Sequence, residues 1–573
     1  MSVGHSNRLV ALSWSITASL LSFLCLTHLG VLACFTVGSG ISASIAPLAA
    51  AGALMVGYAS ARRLGLEGRA VWWPAMAFVL LLLLSIAFSA AFYDMSWDGL
   101  WYHQSAIYQM EKGWNPIREP IIDLPGHMQK WVLHYAKGNW YIATAIYETT
   151  GHIEWGKCGQ WLACATVFFS MLAMVLESGM KRSRAFMIAV LVSINPVMTC
   201  QLYSFYVDGL MIAYLACFAA AYISWMRRPA ALSALIGTMA AMLCINTKFT
   251  GLVYLCLIMA GFGLYTLLYK RRLIFKYVTM QIAPLLLGIF VFGYNPYVTN
   301  TLHRGHPFYP LCGNTEYPGL LENGNDPIEK HETPKNMKGR NRFVRFGYAL
   351  MGRPAFRPRD DAQLMIPFTA TPRDMTLYYF HEQRLAGFGP FFSGAFLLGL
   401  LLLIPLFRTP GSAKWLVLLG IGTLLASLSI SKHAWWARYG PQLWWVPIIP
   451  LCVVFWRLRK GWAVRYAWLV SAILLANALL VAVVHVKWEV EATQTLKKQM
   501  AELAGSGLYE FDFKWFGEPF ANRLKTAGVS FRTLPRNSLR PKNAKPMLSV
   551  CPGYVGTILY RRAEEGSNLK NET

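Results

Sequence analysis

Two carboxylates four residues apart stand in the stretch Ala91-Phe-Tyr-Asp94-Met-Ser-Trp-Asp98-Gly-Leu-Trp-Tyr102-His103-Gln104. If this stretch is helical, the spacing stacks Asp94 and Asp98 on one face. Repulsion and partial burial then raise one pKa toward neutrality, which suits a general base. The plainer alternative is a pair of interfacial polar residues, with Asp98 capping a helix that starts near Gly99. Leu100, Ile107 and Met110, with Trp101 and Tyr108, give the next segment an apolar, aromatic face that would lie flat on a bilayer and hold the acids at its plane. His103 could shuttle a proton, donate to a phosphate, or join Asp98 on a metal ion; a lone histidine is more often simply hydrogen-bonded. No cofactor is demanded, and a divalent metal stays open.

The element that must position these groups is a membrane bundle. The chain has 573 residues, 55% hydrophobic and 14% charged, with a mean hydropathy of +0.37. That is too apolar for an ordinary soluble domain, and it excludes a secreted domain, a collagen and a disordered tail. Apolar stretches of about 18 to 25 residues, each able to cross a hydrocarbon core of about 30 Å, recur to residue 486. The 53 Lys and Arg against 28 Asp and Glu leave a net charge of +25. In a soluble chain this would suggest nucleic acid; here much of it sits in short loops between spans and no nucleic-acid-binding pattern is present, so nucleic acid is not expected as a partner. Most of the 11 cysteines lie in apolar segments without C-x-x-C spacing. Cys312 and Cys551, both in regions expected outside the membrane on one side, could form a disulfide or remain two thiols.

The first apolar run is too long for a signal peptide and is followed at once by a second, so residues 1–70 read as a helical hairpin. Basic residues follow every second span: Arg62, Arg63 and Arg69; Lys181, Arg182 and Arg184; Arg227 and Arg228; Lys270, Arg271, Arg272 and Lys276; Arg408 and Lys414; Arg457, Arg459, Lys460 and Arg465. These mark the cytoplasmic side and place the N-terminus there. About thirteen spans result, at 13–36, 41–59, 71–92, 158–177, 185–204, 209–226, 230–247, 249–269, 277–295, 386–406, 415–431, 441–456 and 466–486. The fold class expected is an all-α polytopic membrane protein. Residues 71–295 form a transmembrane module with an external loop at 93–157, residues 296–385 a basic external loop, and residues 386–486 the last helices. Residues 487–573 form an external region with a small α/β appendage, from β-like runs at Tyr509 to Phe516, Val529 to Leu534 and Met547 to Tyr560.

Several segments together resemble the GT-C glycosyltransferases, polytopic enzymes that use polyprenyl-phosphate-linked sugars. Trp97-Asp98-Gly-Leu-Trp-Tyr102-His103 looks like the first external loop of that family. Tyr206-Val-Asp208-Gly-Leu-Met resembles its acidic helix start, and Asn246-Thr-Lys248-Phe-Thr-Gly251 its Lys-aromatic-x-Gly segment. Tyr294-Asn295-Pro-Tyr-Val-Thr-Asn300, with Gly305-His306-Pro307-Phe308-Tyr309-Pro310, resembles its Asn…Gly-Asn-Pro block, with His306 in place of the usual Asn. Trp435-Trp-Ala-Arg438-Tyr439-Gly-Pro441 is similar to an Arg-Tyr-x-x-Pro motif with the proline one residue early. The resemblance covers about 71 to 456. It implies that Asp98 is the general base on an acceptor hydroxyl, with Asp94 in reserve, and that an inverting displacement occurs on the extracytoplasmic face. The setting expected is a bacterial inner membrane, with a polyprenyl-phosphate sugar as donor and a lipid-linked glycan, lipid or polysaccharide as acceptor.

The remaining candidates follow from the chemistry such a transfer needs. Lys248, at the external end of a span, is an expensive charge unless it meets an anion; a donor phosphate and a salt bridge with Asp208 both answer that need. Arg438, beside two tryptophans, could clamp a phosphate or anchor the interface. Arg304, His306 and Tyr309 could bind sugar hydroxyls or neutralise the leaving phosphate, or belong to a Pro-ordered loop with a solvated Arg; Tyr102 and Asn295 are further candidates for substrate binding. The stretch Lys330 to Arg359 could receive an anionic acceptor or simply be solvated. No nucleotide-binding fingerprint is present, so the driving force must arrive with the donor. A transporter or flippase would place carboxylates near mid-bilayer on broken helices within inverted repeats, and a glycan polymerase or ligase would rely on Arg and His without a first-loop acid. Both remain alternatives.

Overall fold

Side chains that lipid can solvate and backbone that it cannot leave the helix as the natural state of each apolar run. A computed structural model describes residues 2–119, 124–322, 326–355, 360–407, 413–550 and 557–563. Its described residues are mostly helical. Eight helices are long and apolar enough to cross a membrane: Asn7–Val37, Ile45–Arg63, Gly68–Ala91, Ile153–Glu177, Asp208–Arg227, Phe249–Tyr269, Arg271–Val291 and Trp462–Leu503. Three shorter apolar helices accompany them, Ala231–Ile245, Phe392–Phe407 and Lys414–Ile430. Outward-facing Leu83, Leu268 and Phe275 are 60%, 62% and 84% exposed, as lipid-facing side chains would be. These features are compatible with a multi-pass membrane protein.

Two expected spans are broken helices. In 185–204 the helix Arg182–Ser193 stops before Pro196, which has no N–H to continue the ladder, and restarts as Pro196–Gln201 under a cap from Asn195 to Val197 N at 3.0 Å. In 441–456 a 3-10 turn, Pro441–Trp445, precedes Pro447 and a helix of only ten residues, Ile448–Arg457.

The N-terminal hairpin is not peripheral. Its first helix buries Leu20, Leu21 and Leu24, and its threonines with Ser19 return their hydroxyls to its own backbone, as Thr17 does to Ser13 O at 2.9 Å. Trp14 donates to Glu177 at 2.8 Å, fixing this helix antiparallel to Ile153–Glu177. Arg227 donates to Glu177 O at 3.1 Å, and Arg184 holds Phe455 O at 2.9 Å and Arg459 O at 2.7 Å. Basic turns that alternate along the sequence therefore meet at one end of the bundle.

The opposite end carries the long loops. Tyr93 N donates to Thr493 Oγ1 at 3.2 Å, and Asn115 donates to Phe35 O at 2.8 Å. The last helix does not end near 486; at 42 residues, about 63 Å long, it runs on past any bilayer to Leu503. Its extension packs Ala492, Leu496 and Met500 with Met95 and Leu100 of the first loop. The appendage follows as a four-stranded sheet, β1 Leu508–Asp512, β2 Ser530–Thr533, β3 Lys545–Met547 and β4 Ile558–Arg562, in the order β2-β1-β4-β3 with only β1 and β2 parallel. The helix between β1 and β2, Gly517–Thr526, presses Phe520 and Leu524 into the same core. Cys551 lies outside the described residues, and so does a disulfide with Cys312.

Candidate functional site

The first external loop places the two acids differently from the expectation of one helix face. Residues 92–96 are not helical, and a helical stretch begins only at Trp97. Asp94 is fully buried; its Oδ1 accepts from Ser96 N at 2.8 Å and its Oδ2 from Phe205 N at 2.9 Å. It clamps the loop to the segment before the Asp208 helix. A Cβ on Gly99 would sit 2.1 Å from Asp94 Oδ2, so any larger residue would have to displace the Asp94 carboxylate.

Asp98 precedes a π-helical turn, Gly99–His103, and makes no capping bond to it. Its carboxylate is turned instead to Arg438, whose Nη1 donates to Oδ2 at 3.0 Å. Burial pushes the Asp98 pKa up to about 6; the charges of Glu382 and Asp208 add to this and Arg438 opposes it.

Arg438 is held by a box of rings, 4.5 Å from Trp436, 5.0 Å from Tyr206 and 5.1 Å from Tyr439. Tyr206 donates its hydroxyl to Glu382 at 2.8 Å, and Trp436 donates to Glu382 O at 3.0 Å. Arg384 lies over Trp436 at 4.3 Å and reaches Glu332 at 2.8 Å. Lys248 also lies over Tyr439, at 4.6 Å, and pairs with Asp208 at 2.5 Å. Gln201 completes that pair, donating to Asp208 Oδ2 at 3.2 Å while accepting from Gly209 N at 2.7 Å. The buried cations Lys248, Arg384 and Arg438 and the buried carboxylates Asp208 and Glu382 thus share one aromatic-walled junction between loops and bundle with the half-buried Asp98.

His103 has a definite role in this setting. The Trp140 indole can only donate, and it does so to His103 Nδ1 at 2.6 Å, so the ring hydrogen sits on Nε2. Burial, Lys248 and Arg438 lower its pKa well below the usual histidine range. It is a neutral imidazole whose Nε2 donor has no partner among the described residues. This favours donation to a ligand oxygen over shuttling a proton or binding a metal with Asp98. Tyr102 stacks beside it at 4.2 Å.

Asn295, Arg304, His306 and Tyr309 gather elsewhere. Asn295 donates to Pro116 O at 2.8 Å, Arg304 lies over Tyr317 at 4.6 Å and Tyr309 at 5.7 Å, and Tyr309 meets His134 at 4.8 Å. His306 accepts from Phe308 N at 3.1 Å within its own turn. Ring contacts run from Tyr102 through Tyr135 and Phe249 to Phe308 of this cluster. Further out, Arg345 of the basic loop is spent on Glu329, at 2.6 and 2.8 Å. An apolar cavity of about 430 Å³, lined by Met174, Met226, Phe262, Thr423, Trp445 and Trp456, lies toward the far end of the Asp208 helix from Asp208 and takes no part in this site.

The residues that sequence reasoning passed over are Tyr206, Glu382, Arg384 and Gln201. The available signal was the run His381-Glu-Gln-Arg384, four polar side chains in a row directly before an apolar span, all 5% exposed or less. No protein-family model matches this chain, and no curated protein matches its sequence.

Proposed function

We propose that the chain is an integral-membrane glycosyltransferase of the GT-C type, moving a sugar from a polyprenyl-phosphate donor to a glycan, lipid or polysaccharide hydroxyl. The observation that carries this reading is the Asp98–Arg438 contact at 3.0 Å beside the Lys248–Asp208 pair. A base with a pKa near 6 stands next to buried cations that a phosphate could attract. In the reaction Asp98 takes the proton of the acceptor O–H, the oxygen forms a bond to the anomeric carbon, and the bond from that carbon to the phosphate oxygen breaks. The electron pair leaves on the polyprenyl phosphate, where Arg438, Lys248 and the Nε2–H of His103 meet it.

About thirteen crossings, an N-terminus in the cytoplasm and a site on the opposite face of a bacterial inner membrane complete the reading. The gathering of alternate basic turns at one end of the bundle, away from Asp98, supports that orientation. The test is transfer of labelled sugar from a panel of polyprenyl-phosphate donors by the protein in proteoliposomes. Transfer by wild type with loss in Asp98→Asn is the expected result; transfer undiminished in Asp98→Asn would end the proposal.

A further inference from the structure

Outside this site, a second cluster of chemistry-bearing side chains is fully enclosed. His485 and Glu489 stand one turn apart on the last long helix, and His381 comes from the loop before Phe392–Phe407. All three are 1% exposed or less. Glu489 Oε1 lies 2.6 Å from His381 Nε2 and 3.4 Å from His485 Nε2. Neither Glu489 oxygen nor His485 Nε2 makes a hydrogen bond of good geometry among the described residues, while the three side chains converge within ion-pair distance.

The tautomer sharpens the point. His485 Nδ1 meets the carbonyl of Tyr379 at 3.0 Å and must carry the hydrogen to do so. Its Nε2 in the neutral ring is then a bare lone pair facing a carboxylate. Two electron-rich atoms so placed in a closed interior need either a shared proton or a metal cation between them. Lys157 provides neither, since it is held by Glu154 at 2.8 Å and by Phe92 O at 2.6 Å.

We propose that His381, His485 and Glu489 bind a divalent transition metal, with zinc as the best-matched ion. Two imidazoles and one carboxylate are a common zinc donor set, and bonds of about 2.0–2.1 Å place tetrahedral ligand atoms about 3.3 Å apart. The His485–Glu489 separation of 3.4 Å already matches, the His381–Glu489 separation of 2.6 Å has to open on metal binding, and the Tyr379 carbonyl is the outer partner that commonly orients a ligating histidine. The site is a staple. It fixes the loop to the long helix one residue before Glu382, which holds Tyr206 at 2.8 Å, and three before Arg384. Asn477 anchors the same loop further on, donating to Phe388 O at 2.7 Å and accepting from Phe391 N at 2.8 Å.

The experiment measures zinc in the full-length protein, purified in detergent without a polyhistidine tag, stripped with chelator, reloaded with zinc chloride and washed. About one zinc per chain is expected, falling at least about tenfold in His485→Ala and Glu489→Ala and unchanged in His152→Ala, a surface histidine. Less than about a tenth of an equivalent in wild type overturns the proposal in favour of a shared proton. Full retention in His485→Ala overturns it as well. Should the variants fail to fold, zinc-edge absorption on the loaded wild type decides: a nitrogen and oxygen shell with two imidazoles is expected, and a sulfur-containing or all-oxygen shell overturns the assignment.

Discussion

Arg438 and Asp98, 340 positions apart in the chain, meet at 3.0 Å with side chains 8% and 17% exposed. The pair joins the first external loop to the turn before the Ile448–Arg457 helix, and it holds a candidate base and a candidate phosphate ligand in one contact. Asp94, four residues earlier, has both oxygens engaged by backbone N–H groups. Substituting each acid by its amide therefore separates chemistry from architecture. Asp98→Asn is expected to lower sugar transfer by about 10²–10⁴-fold, with a smaller loss of stability because Glu382 still faces Arg438 and the amide oxygen can accept from it. Asp94→Asn is expected to destabilise the fold by about 1–3 kcal/mol, because an amide can accept at one atom only. Thermal unfolding in detergent alongside the transfer assay checks both.

The pH dependence follows from the same contact. A general base must be ionised, and burial has raised the Asp98 carboxyl to about 6, so activity should fall as pH drops through about 6. Arg438 pulls that pKa down, so its removal should move the acid limb upward. Arg438→Gln is expected to shift the limb toward neutral pH as well as weaken donor binding. A pH–rate profile whose acid limb stays in place in Arg438→Gln would contradict the coupling.

Sequence reasoning reached Asp98, Lys248, Asp208 and Arg438 because each is a charge where an apolar run begins or ends, a position at which hydropathy and chemistry conflict visibly. It missed Glu382 and Arg384 because nothing local says which way a loop residue turns; their partners Tyr206, Glu332 and Trp436 are 52 or more positions away. The same limit misplaced Asp94. Its four-residue spacing from Asp98 is informative only in a helix, and bonds from Phe205 and to Glu154, 111 and 60 positions off, hold that stretch out of one. Hydropathy likewise sees apolar length and not continuity, so Pro196 and Pro447 interrupt segments that read as whole spans.

Lys248 and Asp208 form a pair with side chains 11% and 1% exposed. Removing the cation alone leaves a buried, unneutralised carboxylate, so Lys248→Ala is expected to cost about 3–5 kcal/mol. The double variant Lys248→Ala with Asp208→Asn should recover most of that stability. If Lys248 also meets the donor phosphate, the double variant will fold and still bind the donor poorly. Recovery of both stability and donor affinity would assign Lys248 a structural role alone.

The appendage is tied to the site through one guanidinium. Arg523 donates from Nη2 to Asp94 O at 2.9 Å and to Glu154 at 2.6 Å, with its charge over the Tyr93 ring at 5.0 Å. Glu154 in turn accepts from Asp94 N at 3.0 Å. The loop that delivers Asp98 is thus held on both sides of the Asp94 peptide by an ion pair whose cation belongs to the C-terminal sheet unit. Arg523→Ala strands Glu154, although Lys157 at 2.8 Å keeps part of its neutralisation, so the loss should lie nearer 2 than 5 kcal/mol, at about 2–3. Arg523→Lys restores the charge but not the two-directional reach and should recover less than half of that loss. Limited proteolysis of the first loop reads this directly: cleavage between residues 92 and 119 should accelerate in Arg523→Ala, with transfer falling in parallel. Unchanged protection there would mean that the apolar contacts of Met95, Leu100 and Trp97 with Phe516 and Phe520 hold the loop without the ion pair.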